Sequence, residues 1–146
     1  MRRATQLSLF DDDHAAASLA SLLPLVRSAM SSVAGGSSLS RDQIADRLTE
    51  VARAAGISIS RGNAKSVKTA TLEKWLSPAA REHPPSLTAL VAFCLVTRDV
   101  RPLEPILATL GCSIMTKEDR KLRDYGAAIL AEREAKKKKR QLEAEL

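Results

Sequence analysis

The strongest constraint on the fold is a capped helix start at Ser40. Ser40 and Gln43 form the S-x-x-Q pattern of a capping box, in which each side chain satisfies a backbone N–H that a helix start leaves open. Leu39 and Ile44 have the spacing of a hydrophobic staple, and Gly56 supplies a stop signal. The pattern predicts a helix that begins at Ser40 and ends before Gly56. Its apolar residues recur at helical spacing and predict one buried face: Ile44, Leu48, Val51, Ala52 and Ala55.

A second, shorter helix is predicted to end near Leu76. Leu72, Trp75 and Leu76 lie at positions i, i+3 and i+4, so they share one face toward a core. The intervening residues are expected to face outward: Thr71, Glu73 and Lys74. The two helices resemble a helix-turn-helix, but the link from Gly56 to Lys68 is much longer than a standard turn of three or four residues. The link is either a flexible wing or a sign that the helices do not pack as that motif requires.

The region from Ile57 to Arg81 is strongly basic. It contains five cations against one anion, a balance that suits phosphate oxygens. Short polar side chains at the start of a helix are also well placed to meet base edges in a major groove. The alternative is a solvated helical hairpin in a small bundle, since many bundles carry basic faces. If the region binds DNA, the candidate contacts are Arg61, Lys65, Lys68, Thr69, Thr71 and Lys74.

A longer stretch resembles a known family. The segments Q-I-A-D-R-L, T-L-E-K-W-L-S-P and L-V-A-F-C-L-V-T-R-D-V-R-P-L-E-P-I-L-A-T-L-G-C, within about residues 39–112, are similar to the small helix-turn-helix regulators of temperate and Mu-like transposable phages, broadly the CII-type regulators. The resemblance implies a helical DNA-binding domain that acts in early phage transcription. It places residues 69–76 in the position of the recognition helix.

Composition is consistent with a small, basic protein. The chain has 146 residues, of which 45% are apolar and only 3% aromatic. Its core would therefore consist of small aliphatic side chains, and self-association is a plausible supplement to such a core. The net charge of +6 favours nucleic acid or another anionic partner over an acidic substrate pocket. The sequence shows neither a run of 18 apolar residues nor a signal-peptide core, so we expect a cytoplasmic protein without a membrane partner.

The cysteines and histidines do not suggest catalysis. Cys94 and Cys112 lie in apolar sequence without C-x-x-C spacing, so both are expected to be buried free thiols rather than a disulfide or a metal site. His14 and His83 have no partner at ligand or catalytic-triad spacing. Nucleotide-binding and hydrolase motifs are also missing from the sequence. We therefore expect no enzyme activity, no metal and no cofactor.

The chain is expected to divide into four parts in an all-α fold, a small helix-turn-helix bundle with a long C-terminal helix. In the second part, residues 15–34, Pro24 predicts either a kink or a new helix start. In the third part, residues 39–112, further helices are expected from about Ser86 to Thr97 and from Pro102 to Leu110. The four parts are a flexible tail (1–14), an N-terminal helical segment (15–34), the DNA-binding domain (39–112) and a charged helix (116–146).

The C-terminal helix changes character along its length. Thr116 to Asp119 form a capped start, and the following apolar residues are expected to continue the core: Leu122, Tyr125, Ile129 and Leu130. From Glu132 onward nearly every residue is charged, and residues 136–140 are five consecutive cations. This end is either a solvated, fraying helix or a phosphate-binding tail.

A separate motif lies near the N-terminus. Residues 6–10 read Q-L-S-L-F, which resembles the Q-L-[S/D]-L-F pentapeptide by which bacterial polymerases and repair proteins dock on the replication sliding clamp. By this resemblance Leu9 and Phe10 fill an apolar pocket while Gln6 makes polar contacts at its rim, with Leu7 and Ser8 between them. The alternative is that Leu7, Leu9 and Phe10 fold onto the helical domain, for example as a short edge strand.

Together these patterns predict a DNA-binding regulator, with double-stranded DNA as partner and a homo-oligomer as the expected assembly. The alternative is an adaptor that tethers a replication or transposition complex to the sliding clamp through residues 6–10. A regulator needs a sequence-specific footprint with regular half-site spacing, whereas an adaptor needs only weak, non-specific DNA affinity.

Overall fold

The chain forms two compact units, the first ending at Cys112 and the second spanning Ser113–Leu146. The structure, a computed structural model, describes the backbone of residues 9–60, 62 and 65–146, and side chains from Ala15 onward. Its regular elements are all helical over this part of the chain, which confirms the predicted fold class. The helices are α1 (Leu9–Gly36), α2 (Arg41–Ala55), α3 (Thr69–Leu76), α4 (Leu87–Thr97), α5 (Glu104–Thr109) and α6 (Lys117–Ala144).

Helix α1 is longer than the sequence predicted. It begins at Leu9, so the expectation of a flexible tail through residue 14 is wrong for residues 9–14. It also continues through Pro24, which causes neither a break nor a new start although it removes one backbone hydrogen bond. Val26, Met30 and Val33 are buried on its inner face, and packing of this face offsets the cost of the proline.

One stretch of α1 has the length and apolar composition of a membrane-spanning helix, namely Ala15–Gly36. Core helices and signal sequences meet the same criterion, so it is weak evidence for a membrane. This stretch packs against α3 and α5 and buries one face, which includes the charged residue Arg27. The buried face belongs to the core of the first unit, together with buried residues of α2, α3 and α4.

Helix α2 forms as its capping residues predicted. The Gln43 backbone N–H donates to Ser40 Oγ at 3.2 Å, and the Ser40 N–H donates to Gln43 Oε1 at 2.8 Å. Gly56 ends the helix with a φ of 68°, a left-handed conformation that suits glycine. The buried face differs from the prediction at two positions, because Ala45 near the start of α2 is buried and Ala55 at its end is exposed. Ile44, Leu48 and Ala52 are buried as predicted, and Val51 is half-buried.

The link between α2 and α3 is packed at both ends. Ile59 and Val67 are buried, and the Val67 backbone N–H donates to Thr49 Oγ1 of α2 at 2.9 Å. These contacts bring α3 back onto α2 despite the length of the link, and the two helices pack against each other. Leu72, Trp75 and Leu76 of α3 are buried in the shared core, as predicted from their spacing. A long link therefore replaces the standard turn without separating the helices.

Helix α4 is apolar on all sides but buried on only one. Ser86 caps it by accepting a hydrogen bond from the Ala89 N–H at 3.1 Å. Its inner face packs against α2, with Phe93 fully buried. The opposite face leaves a row of aliphatic side chains exposed at intervals of four residues: Leu87, Val91 and Leu95.

The end of the first unit departs from the sequence prediction in two ways. The single helix expected from Pro102 to Leu110 is a 3-10 turn (Arg101–Leu103) followed by the short α5. Cys94 is buried as predicted, and burial, followed by the nearby charge of Asp99, raises its pKa to about 11. The prediction is wrong for Cys112, which is exposed because it lies beyond the end of α5.

The second unit consists mainly of α6. Its start has the predicted cap, because the Asp119 N–H donates to Thr116 Oγ1 at 3.1 Å while the Thr116 N–H donates to Asp119 Oδ2 at 2.9 Å. The expected continuation of the core is wrong, since none of the residues of α6 is buried. Leu122 and Tyr125 are both about two-thirds exposed, at 67% and 68%. An apolar spacing predicts a buried face only where a partner element covers it.

Candidate functional site

Helix α3 presents three faces with different roles. Its apolar side chains enter the core, as described above. A second face meets the start of α2, where Thr69 Oγ1 donates to Asp42 Oδ1 at 2.5 Å and Glu73 lies 3.8 Å from the Arg41 guanidinium. The third face carries Lys68, the N-cap residue, followed at intervals of three by Thr71 and Lys74. Contacts with the core and with α2 therefore fix the direction in which this third face points.

The third face of α3 forms one wall of a cleft of about 550 Å³. Ile59 and Trp75 are its buried apolar residues, and the residues around His83 and Ser86 form the opposite wall. Hydroxyl groups and cations dominate the remaining lining. The lining residues in the described part of the chain are Ser58, Ile59, Ser60, Ser66, Lys68, Thr71, Lys74, Trp75, His83, Pro84, Ser86 and Thr88.

The cleft is predominantly positive. Among the residues that the structure describes, its lining contains two lysines and no carboxylate, and the Glu82 carboxylate lies outside the lining, 3.8 Å from His83 Nε2. The nearest acidic groups on α3 and α2 are directed to other partners, Glu73 to Arg41 and Asp42 to Thr69. The first turn of α3 contains no acidic residue and no side-chain cap, so its backbone N–H groups add to the positive field near Lys68. Such a cleft attracts an anion with several oxygen acceptors.

Arg27 of α1 holds the two walls of the cleft together. Its side chain is fully buried, and its Nη1 donates to the Lys74 carbonyl and, at 3.4 Å, to the Ser77 carbonyl at the end of α3. Its Nη2 donates to the Glu82 carbonyl at 3.1 Å, directly before His83. Burial lowers the pKa of Arg27 below its ordinary value. The carbonyl groups at the end of a helix carry partial negative charge, which compensates the buried cation.

His83 has an unusual backbone conformation in the wall opposite α3. Its φ is 55°, which is uncommon for a residue other than glycine, and it directly precedes Pro84. Its Nε2 lies 3.8 Å from a carboxylate oxygen of Glu82. Ser86 Oγ lies 3.2 Å from Thr88 Oγ1 and accepts from the Ala89 N–H. These side chains can form hydrogen bonds with a ligand. Their partners within the protein do not include the combination of a nucleophile and a general base that catalysis requires.

The structure separates the six residues predicted to contact DNA. Lys68, Thr71 and Lys74 line the cleft together. Lys65 lies in a neighbouring groove with Arg53, and Arg61 lies outside the described residues. Thr69 does not line the cleft, because its hydroxyl bonds to Asp42, so a role of that hydroxyl in base contact is not supported.

The pentapeptide at residues 6–10 is largely outside the described part of the chain. Gln6, Leu7 and Ser8 are not described, and only the backbone of Leu9 and Phe10 is. These two residues belong to the first turn of α1, so the edge strand considered for them is wrong at this point.

Sequence reasoning missed Arg27 and the wall at residues 83–88. Arg27 had a detectable signal, because it falls on the same helical face as Met30 and Ala34 of α1. No signal in the sequence indicated that His83 and Ser86 approach α3, because this approach depends on how the loop after α3 folds back. No protein-family model, curated protein or solved structure matches the chain, so the interpretation of this site depends on its own geometry.

Proposed function

We propose that the protein is a DNA-binding transcription regulator of the phage type, acting in the cytoplasm. The observation that carries the proposal is the alignment of Lys68, Thr71 and Lys74 along one face of α3, at a cleft whose described lining residues include no carboxylate. Lysines at this spacing can neutralise consecutive phosphates, and the hydroxyl between them can reach a base edge. The sequence resemblance to CII-type regulators supports the same function.

The rigid attachment of α3 also supports the proposal. A recognition helix must hold its side chains in register with the bases, and α3 is fixed by its buried face, by α2 and by Arg27. Phosphate contacts set orientation, whereas side chains at base edges provide sequence preference. Lys68 and Lys74 take the first role and Thr71 takes the second.

The test is a titration of fluorescent duplex DNA at several salt concentrations. Replacing Lys68 and Lys74 with Ala should weaken binding and flatten the dependence of log K on log salt by about 0.9 for each lost phosphate contact. The matched control is Arg47→Ala with Arg53→Ala, which removes two exposed cations of α2 that do not line the cleft. Equal effects of the two variants would refute a role for the cleft.

Sequence preference provides a second readout. Thr71→Val has nearly the same shape as the native side chain but no hydroxyl, so it should change the preferred sequences recovered from a random duplex library more than it changes mean affinity. An unaltered preference would show that Thr71 does not read a base.

Self-association is part of the proposal. The exposed row on α4, Leu87, Val91 and Leu95, is symmetric about Val91, so two copies can pair antiparallel with each leucine meeting the opposite one. Sedimentation should then show a dimer that Val91→Glu dissociates. A monomer for the native protein would contradict this part of the proposal.

A second candidate function follows from the pentapeptide at residues 6–10. We propose as the alternative an adaptor that docks on the bacterial sliding clamp, with Leu9 and Phe10 as apolar anchors and DNA affinity in an auxiliary role. The full chain should bind a purified clamp in the micromolar range, and Leu9→Ala with Phe10→Ala should abolish this binding while DNA binding persists. If the double variant instead unfolds the protein, those side chains belong to the core and the adaptor function fails.

A further inference from the structure

The second unit contains a concentrated basic surface that the proposed function does not use. Between Arg133 and Arg140 lie six cations and one carboxylate, all on the exposed helix α6. Glu132 pairs with Lys136 at 2.6 Å and Glu143 pairs with Lys139 at 3.7 Å. The four remaining cations have no ion pair in the structure of this unit: Arg133, Lys137, Lys138 and Arg140.

Three of these cations form a continuous row. Arg133, Lys137 and Arg140 are spaced by four and then three residues, so they lie on one side of the helix, within about 60° of each other. They border a shallow groove along α6. Seven residues of helix span about 10 Å, comparable with the axial rise of three phosphates along one DNA strand. We name this set the α6 row.

The row is costly to the helix in isolation. Like charges at i, i+3 and i, i+4 destabilise a helix, and Arg133–Lys137 and Lys137–Arg140 are such pairs. Nothing buried in α6 compensates for this repulsion. A polyanion lying along the row would relieve it.

We infer that the α6 row binds the phosphate backbone of duplex DNA, as a contact additional to the cleft of α3. The choice of DNA rests on the proposed function. Lys138, the remaining cation without an ion pair, lies about 100° around the helix from Lys137. It can therefore meet a second phosphate strand when α6 lies in a groove, which a flat anionic surface does not provide.

A membrane surface fits the same charges less well. A helix that lies on a membrane needs an apolar face beside its cations, with Leu, Phe or Trp to enter the acyl boundary. From residue 131 to residue 141 the uncharged residues of α6 are two alanines and Gln141. This stretch has therefore no side chains with which to enter a bilayer.

The test compares two triple variants of the full chain. Replacing the three residues of the row with Ala should weaken binding to random-sequence duplex DNA roughly 30- to 100-fold at 0.15 M salt. The same change should flatten the dependence of log K on log salt by about two to three units. The residues are Arg133, Lys137 and Arg140. The control replaces Lys117, Arg120 and Lys121 of the same helix by Ala, which removes the same charge where carboxylates are interspersed. Alanine favours helix, so circular dichroism should show that neither variant melts α6.

The expected result is a large loss for the row variant and a change of less than about threefold for the control, with the preferred DNA sequence unchanged in both. Equal losses for the two variants would overturn the inference in favour of a general charge effect. An unchanged row variant would overturn it outright. Binding of the native chain to phosphatidylserine vesicles that is as tight as its DNA binding, and lost in the row variant, would overturn it in favour of a membrane.

Combining the row variant with Lys68→Ala and Lys74→Ala separates this inference from the proposed function. If only the row substitutions matter, the α6 contact stands and the role of the cleft fails. If only the cleft substitutions matter, the α6 contact fails and the role of the cleft stands. Losses that add on a logarithmic scale indicate two separate contacts with one DNA.

Discussion

Helices α3 and α6 obtain their stability in opposite ways. Helix α3 has eight residues, too few to persist alone in water, and it buries three of them. Helix α6 has 28 residues and buries none, so it depends on its cap and on pairs such as Lys136–Glu132. Tertiary packing therefore fixes α3, whereas local interactions maintain α6.

This difference affects what each helix can recognise. The side chains of α3 have a defined direction because Trp75 is buried in the core and Arg27 binds the carbonyls at the end of the helix. Directed contacts favour sequence readout. The cations of α6 lie on a helix with no buried face, which suits contacts that depend on charge more than on position. The proposed two-part interface divides specificity and affinity between the two helices.

The largest expected effect is at Trp75. Trp75→Ala should destabilise the first unit by roughly 3–5 kcal/mol, because it leaves a large cavity in the core. Leu130→Ala in α6 is the comparison, and it should change stability by less than about 0.5 kcal/mol because Leu130 is 60% exposed. Urea unfolding followed by circular dichroism measures both. A small effect at Trp75 would remove the distinction between the helices.

A somewhat smaller loss is expected at Arg27. Arg27→Met retains much of the apolar stem but leaves the carbonyls of Lys74 and Glu82 without their donor, at a cost of roughly 2–4 kcal/mol. Arg133→Met in α6 is the matched substitution at an exposed site and should be nearly neutral. Thermal unfolding of the two variants checks this. If Arg27→Met is as stable as the native chain, the buried guanidinium does not hold the walls of the cleft.

The sequence was informative where the interactions are local. The cap at Ser40, the stop at Gly56 and the inward direction of Trp75 all follow from spacing within one helix. The part of the cleft formed by Lys68, Thr71 and Lys74 could be predicted for the same reason.

Interactions between distant segments were not predictable in this way. Arg27 meets carbonyls about 50 residues further along the chain, and Cys112 is exposed because of where α5 ends. The apolar spacing of Leu122 and Tyr125 was a reliable sign of helix but not of burial. Burial depends on a covering element, which the spacing within one helix does not reveal.

Caps provide a third and subtler comparison, because α2 and α6 begin with the same kind of capping box. Ser40→Ala and Thr116→Ala should each cost about 1 kcal/mol locally. In the first unit this cost should lower the cooperative unfolding midpoint, since α2 belongs to the shared core. In α6 it should appear only as fraying of the first turn, detected by faster amide hydrogen exchange there. A shift of the cooperative midpoint by Thr116→Ala would show that α6 is coupled to the core.

The smallest expected effect is a pH dependence at the start of α6. Hydrogen bonds from the Thr116 hydroxyl and backbone N–H lower the pKa of Asp119 below its ordinary value of 3.8. A lowered pKa means that the ionised carboxylate stabilises the folded helix start, so this contribution is complete above about pH 4 and is lost as the pH falls through the lowered value.

Amide signals of the first turn of α6, followed by NMR from pH 7 to pH 2, should therefore stay constant at first and report fraying only in the acidic range. Asp119→Asn should remove this transition, because the amide does not titrate. A residue-specific probe is needed because hydrogen bonds donated by Arg101 also lower the pKa of Asp99 in the first unit, so that this carboxylate titrates in the same direction. If the transition persists in Asp119→Asn, the cap does not control the helix start. Local interactions would then not explain the stability of α6, and a partner that covers its exposed face would be needed to stabilise it.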